Sequence, residues 1–154
     1  MIMEAVSFRP AAIADLPGII SMLADDELGQ QREDSSSTPN EKYYDAFSTV
    51  DSDENQILAV AEAEGVLLGC LQITFIPGLS RLGMWRGQIE SVRIAADSRG
   101  KGIGRKMFMW AIGECRRRGC GLVQLTTDKS RTGTFQFYES LGFKATHEGM
   151  KLVL

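Results

Sequence analysis

Histidine and cysteine are scarce in this chain of 154 residues: it has one histidine, His147, and three cysteines, Cys70, Cys115 and Cys120. A structural zinc site takes four thiolate or imidazole ligands at motif spacing, and no C-x-x-C pair is present, so no metal is expected. A Ser-His-Asp or Cys-His enzyme would have to rely on His147 alone. An odd number of cysteines in apolar or helical surroundings points to reduced thiols rather than a disulfide framework. Long apolar runs are missing as well. None approaches the ~20 residues that span a bilayer, and the opening MIMEAVSFRP lacks the apolar stretch of a signal peptide. The expectation is a cytoplasmic protein with no membrane partner.

Charge is small in sum and uneven in place. The net charge is −3, yet residues 1–92 hold five basic against fifteen acidic side chains, residues 93–118 eight against two, and residues 119–154 four against three. A basic island in an acidic chain suggests a local anion site. Nucleic-acid binding normally comes with a basic domain, so no nucleic acid is expected as a partner. A chain near 150 residues buries on the order of 70% of its unfolded surface, enough for one core, and 1–154 reads as a single domain.

Val6 and Phe8 alternate with polar neighbours before Pro10, which predicts a short strand. Leu16, Ile19, Ile20 and Leu23 follow at helical spacing. Residues 29–40 read as a polar loop. Thr38 as N-cap, Pro39 at the first helical position and Glu41 closing a capping box predict the start of a second helix carrying Tyr43, Tyr44 and Phe47. The runs 57–62 and 66–75 form a hairpin around Ala63-Glu64-Gly65, and 88–95 forms another long strand. Ile103, Met107, Trp110, Ala111 and Cys115 define a helix closed by Arg116-Arg117-Arg118-Gly119, with cations in the last turn and glycine just beyond it. A strand at 122–126, a short helix at 135–141 stopped by Gly142, and two strands or one bent strand over 143–154 complete the reading.

The most informative stretch is Arg99-Gly100-Lys101-Gly102-Ile103-Gly104-Arg105-Lys106, between a strand and an amphipathic helix. Its three alternating glycines clear side chains away, so the first amides of the helix can close on an anion while the dipole and four cations add to the field. It lacks the G-x-x-x-x-G-K-[ST] pattern of a P-loop, and Arg105 stands where a dinucleotide fingerprint needs its third glycine.

The R-x-x-G-x-G segment after a strand resembles the acyl-CoA pyrophosphate signature of the GNAT superfamily of N-acetyltransferases. Ile89-Glu90-Ser91-Val92-Arg93-Ile94 resembles that family's fourth strand, and Phe137-Tyr138-Glu139-Ser140-Leu141-Gly142-Phe143 its [FL]-Y-x-x-x-G-F helix-to-strand element. The order of elements matches from residue 5 to the C-terminus. The resemblance implies an α/β (α+β) fold: a mixed, mostly antiparallel central sheet flanked by about four helices and splayed at the fourth strand. It also implies acetyl-CoA as the acyl donor, without a metal. The pantetheine would pair like an added strand with the backbone of Val92, Arg93 and Ile94. The pyrophosphate would rest on Arg99, Gly100, Lys101, Gly102, Ile103, Gly104 and Arg105. Members often carry asparagine seven residues before the helix tyrosine. Here that position is Arg131, a side chain suited to a CoA phosphate instead.

Two residues are the catalytic candidates. Glu90 shares strand parity with Val92 and Ile94, so either its carboxylate joins their face and serves as a base, or a bulge turns it out. Pairing with Arg86 or Arg93 is its purely structural alternative. Tyr138 lies beside the Phe137/Leu141 stripe and is placed to assist the departing thiolate, against the alternative of a core tyrosine with a wet hydroxyl. His147, Glu148 and Cys120 are weaker candidates. The expected reaction is direct attack by an amine in a ternary complex, with the Val92 N–H on the oxyanion. A noncatalytic acyl-CoA-binding sensor is the alternative. The acidic run from Asp25 to Glu54 favours a small basic amine or a protein amine as acceptor, while Arg81 and Arg86 offer a seat for an acceptor carboxylate. A homodimer is compatible with this reading.

Overall fold

The computed structural model describes residues 5–154. Five strands form one sheet in sequence order: β1 (Ser7–Pro10), β2 (Gln56–Ala63), β3 (Val66–Ile76), β4 (Arg86–Ile94) and β5 (Leu122–Gln124). The first four are antiparallel neighbours, and β5 joins β4 in parallel. Alternation along the strands sorts the side chains onto two faces. Ala59, Ala61, Leu71, Ile73, Phe75 and Ile89 meet Ile103, Met107, Phe108, Ala111 and Cys115 of helix α5 (Ile103–Arg117). Val60 and Cys70 point the other way, into Leu16, Ile19 and Ile20 of α1 (Leu16–Ala24) and Phe47 of α3 (Glu41–Ser52). The remaining helical pieces are α2 (Glu27–Arg32), the single turn α4 (Ser80–Gly83) and α6 (Thr134–Ser140). Among the described residues no helix is long and apolar enough to cross a membrane.

Helix α5 ends as its sequence predicts. Gly119 takes φ 79°, the Cys120 amide donates to the Cys115 carbonyl at 2.9 Å and the Gly119 amide to the Arg116 carbonyl at 3.0 Å, the paired bonds of a Schellman motif.

Four expectations need correction. Residues 29–40 are not all loop, because α2 runs to Arg32 with Asp26 as its N-cap: the Asp26 carboxylate accepts from the Gly29 amide at 2.5 Å. The α3 cap is Asn40, whose side chain accepts from the Lys42 amide at 3.0 Å. Thr38 is displaced from that role, and its carbonyl accepts from Ser36 Oγ at 2.9 Å. The helical segments number six rather than about four, α2 and α4 being short additions. No strand forms among residues 143–154. There only Phe143 packs into the core, while Met150, Leu152, Val153 and Leu154 are exposed. The polar stretch 144–148 supplies no apolar alternation to hold a further strand against the sheet.

The contact of β4 with α5 depends on Gly87. A Cβ at that position would run into the Cys115 sulfur and press on the Cys115 Cβ at 3.2 Å. Gly87→Ala should therefore lower stability in urea unfolding by about 1–3 kcal/mol through overpacking. Cys115→Ala in the same chain should recover part of that loss, and equal loss in the single and double variants would exclude the clash as its cause.

Candidate active site

The site gathers around an interruption in the sheet. The parallel ladder joins only Arg86, Gly87 and Gln88 of β4 to Leu122, Val123 and Gln124 of β5, after which the strands part. The rest of β4 keeps β3 on one side and leaves an edge open toward α6. This is the splay expected at the fourth strand.

Strand β4 also contains a bulge. Opposite β3 the register moves from Gln72↔Glu90 to Cys70↔Arg93, so one residue of β3 faces two of β4, and Ser91 sits in the left-handed region at φ 55°. The extra residue reverses parity. Val92 and Ile94 join Ile89 on the α5 face, and Glu90 does not share their face. It is exposed on the opposite one, across from Gln72. That face is polar: Gln56 Oε1 accepts from Gln72 Nε2 at 3.1 Å and from Thr74 Oγ1 at 2.8 Å, and Gln124 Nε2 donates to Gln88 Oε1 at 2.8 Å. A carboxylate there is solvated and needs no partner.

Below the splay, Gly100 (φ 75°) and Gly102 (φ 77°) take left-handed turns, and a Cβ on either would meet no atom within 4 Å. Gly102 caps α5. The first bond of that helix in the chain direction runs from the Lys106 amide to the Gly102 carbonyl, so the amides of Ile103, Gly104 and Arg105 have no carbonyl upstream to bond. Gly104 serves packing instead, with Ile94 and Phe137 both at 3.7 Å from where its Cβ would be. Lys101 and Arg105 flank this opening, exposed. The result is a glycine turn with three free helix amides and two exposed cations beside it, an arrangement that attracts an anion.

Tyr138 of α6 stands edge-on to Phe108 at 5.5 Å and Phe143 at 6.1 Å. Burial pushes its phenol upward, while Arg131 and Arg93 draw it down, and no hydrogen bond contributes. It remains a proton donor at neutral pH.

The cations do not all face the cradle. Arg99 donates to the Ile94 carbonyl at 3.2 Å and to Asp25 at 3.0 Å. Arg131 donates to Asp26 Oδ2 at 2.6 Å, and Arg93 lies 3.7 Å from the same oxygen. Sequence reasoning missed Asp25 and Asp26 as anchors, treating them as part of an acidic run. The signal available was the N-cap preference of an aspartate three residues before Gly29. Burial resists ionisation of Asp26, but the Gly29 amide and Arg131 outweigh it and hold the carboxyl below its usual range. Other members of the acidic run are engaged as well: Glu33 accepts from the Tyr43 hydroxyl at 2.6 Å and Asp53 from the Asn55 amide at 2.8 Å.

The weaker candidates lie apart. His147 is exposed and bonded to Thr146 at 2.7 Å. Burial pushes the Cys120 thiol up, and the Cys115 thiol up to about 12, so neither supplies a thiolate.

Several known proteins resemble this chain. The model of the acetyltransferase (GNAT) family matches residues 20–143. An aminoalkylphosphonate N-acetyltransferase of Salmonella typhimurium is 28% identical over 68% of this chain and 68% of its own. A glucosamine 6-phosphate N-acetyltransferase of Trypanosoma brucei brucei is 32% identical over 58% of this chain, which spans 59% of that relative. Among solved structures, a transcriptional regulator from Bacillus halodurans C-125 is 45% identical, with a TM-score of 0.95 over 97% of this chain and 100% of that one.

Asp26→Asn should keep an acceptor for the Gly29 amide while leaving Arg93 and Arg131 without their counter-charge. The expected cost near pH 7 is about 1–3 kcal/mol in urea unfolding. Because the native carboxyl titrates below its unfolded value, this contribution is full above the unfolded pKa and fades as pH falls through the native one. The variant and the parent should therefore converge in stability in acid, and a gap that stays constant to low pH would assign the loss to something other than charge.

Proposed function

The chain belongs to the acetyltransferase (GNAT) family, and from that premise we propose that it transfers an acetyl group from acetyl-CoA to the primary amine of a small molecule or peptide, by direct attack in a ternary complex. The observation that carries the reading is the parting of β4 from β5 directly beside the glycine cradle of α5. An extended pantetheine arm needs an open strand edge, and a pyrophosphate needs free amides one helix start away. Val92, Arg93 and Ile94 offer the first, and Gly100 to Arg105 the second. Bound acetyl-CoA supplies an electrophilic thioester carbonyl.

The residues of this chain supply the proton handling. An amine attacks only as the free base, and Glu90, on the polar face, takes the ammonium proton directly or through one water. The nitrogen lone pair then forms the C–N bond while the C–S bond breaks, its electron pair going to sulfur. The Val92 N–H, next to the bulge, is assigned to the carbonyl oxygen as charge builds on it. Tyr138 donates a hydrogen bond to the departing thiolate. A phenol near pKa ~10 is a weaker acid than a thiol near ~8.5, so full proton transfer from it is uphill by roughly 2 kcal/mol before burial is added. Its service is first a hydrogen bond, and the thiolate takes up the proton that the newly acylated nitrogen gives up, directly or through solvent.

A second reading is favoured by one observation: the 45% identical structure is that of a transcriptional regulator. A noncatalytic acyl-CoA sensor would keep the cradle and need neither Glu90 nor Tyr138. Release of free thiol from acetyl-CoA in the presence of an amine panel separates the two.

Three substitutions test the assignments. Gly102→Asp places a carboxylate where phosphates are to sit, and calorimetry should find acetyl-CoA binding lost in a folded protein. Undiminished affinity would remove the cradle from the donor site. Glu90→Gln should lower kcat with little change in acetyl-CoA affinity and flatten the acidic limb of the pH–rate profile. Tyr138→Phe should lower kcat by ~10²-fold, and a loss under about twofold would return it to packing.

A further inference from the structure

Arg93 carries an unusual deficit. Its side chain is 16% exposed, Nη1 donates to the Val92 carbonyl at 2.9 Å, and the buried Nε has no partner. Burial, then Arg131, press its guanidinium toward deprotonation, and Asp26 resists. An arginine does not lose its proton in a protein, so the cost stands unless an anion arrives.

The surrounding charges leave room for one. Arg32 of α2 and Arg131 of the β5–α6 loop both act on Arg93, Asp26 faces Arg93 and Arg131, and the exposed Asp128 lies toward Arg131 and Arg32. Asp26 divides Oδ2 between two guanidinia while Oδ1 holds the Gly29 amide. Two guanidinia thus share one carboxylate oxygen at a half-buried place, and the Arg93 Nε stays without a partner.

That place adjoins the proposed chemistry. The bulge makes Arg93 and Glu90 successive residues on one face, opposite Cys70 and Gln72, which are two residues apart on β3, a separation of about 7 Å. Tyr138 feels both Arg131 and Arg93. We propose that Arg93 and Arg131 seat an acidic group carried by the acceptor itself, so that the substrate is a small amine bearing a carboxylate or phosphate a few bonds from its nitrogen. This rests on the acetyltransferase reading. It differs from the cationic acceptor that the acidic run favours; Asp25 and Asp26 of that run are paired with arginines. Arg131 is thereby drawn away from a CoA phosphate, which the cradle serves with Lys101, Arg105 and free amides.

The test pairs acid-bearing amines with neutral counterparts: β-alanine against β-alaninamide, and 2-aminoethyl phosphate against ethanolamine. Each is titrated calorimetrically into the CoA-saturated protein and assayed for thiol release from acetyl-CoA. At least one acid-bearing member should exceed its partner by about tenfold or more in affinity and in kcat/KM, as a charge-assisted contact gives, and the better pair tells carboxylate from phosphate. Arg131→Gln should collapse that ratio while shifting acetyl-CoA affinity far less. Arg32→Gln, at an exposed position, should reduce the ratio partially without threatening the fold. Equal treatment of acid and neutral partners, no binding of either, or an Arg131→Gln variant that loses acetyl-CoA affinity but keeps the ratio would overturn the seat. Selective binding of the acid without any thiol release would support the seat and overturn the transferase reading.

Discussion

Buried backbone amides and carbonyls must find partners, and the β4–β5 ladder that supplies them ends at Gln88 and Gln124. The parting of these two strands organises the site. A helix start at Ile103 places free amides near it, and α6 approaches the same place through Phe137, which meets Gly104 beside Ile94. The splayed strand edge and the helix start thus face the same side of the sheet's break, which is the arrangement the proposed donor site rests on.

Three left-handed positions lie in the same region: Ser91 within β4, and Gly100 and Gly102 just before α5. Glycine makes the last two inexpensive, whereas Ser91 adopts its conformation at some cost. Its effect is to hand one strand two jobs: Ile89, Val92 and Ile94 anchor the α5 core, while Glu90 and Arg93 reach the polar face. Without the extra residue, a carboxylate would be turned into the core or a hydrophobe into water.

Much of this was legible in the sequence, and the limits have physical reasons. The period of Ile103 to Cys115 fixes α5, and the spacing of Arg99, Gly100, Gly102 and Gly104 marks the cradle, because local sterics decide both. The Glu90 parity argument left open whether a bulge was present, since Ser91 carries no local mark of a left-handed residue. The strands expected over 143–154 depended on pairing with a distant edge, which local pattern does not reveal. The role of Asp26 was hidden for the same reason: Arg131 is 105 residues away, and a one-dimensional charge count sees only an acidic run. The hydroxyl of Tyr43 is taken by Glu33 across a turn, another contact that a charge count does not show.

Strand β3 is held on both sides along most of its eleven residues, but β5 is held by three rungs on one side. With so few rungs, β5 can fray at a free energy below that of unfolding the sheet, so its amide hydrogens exchange sooner than those at the centre of the meander.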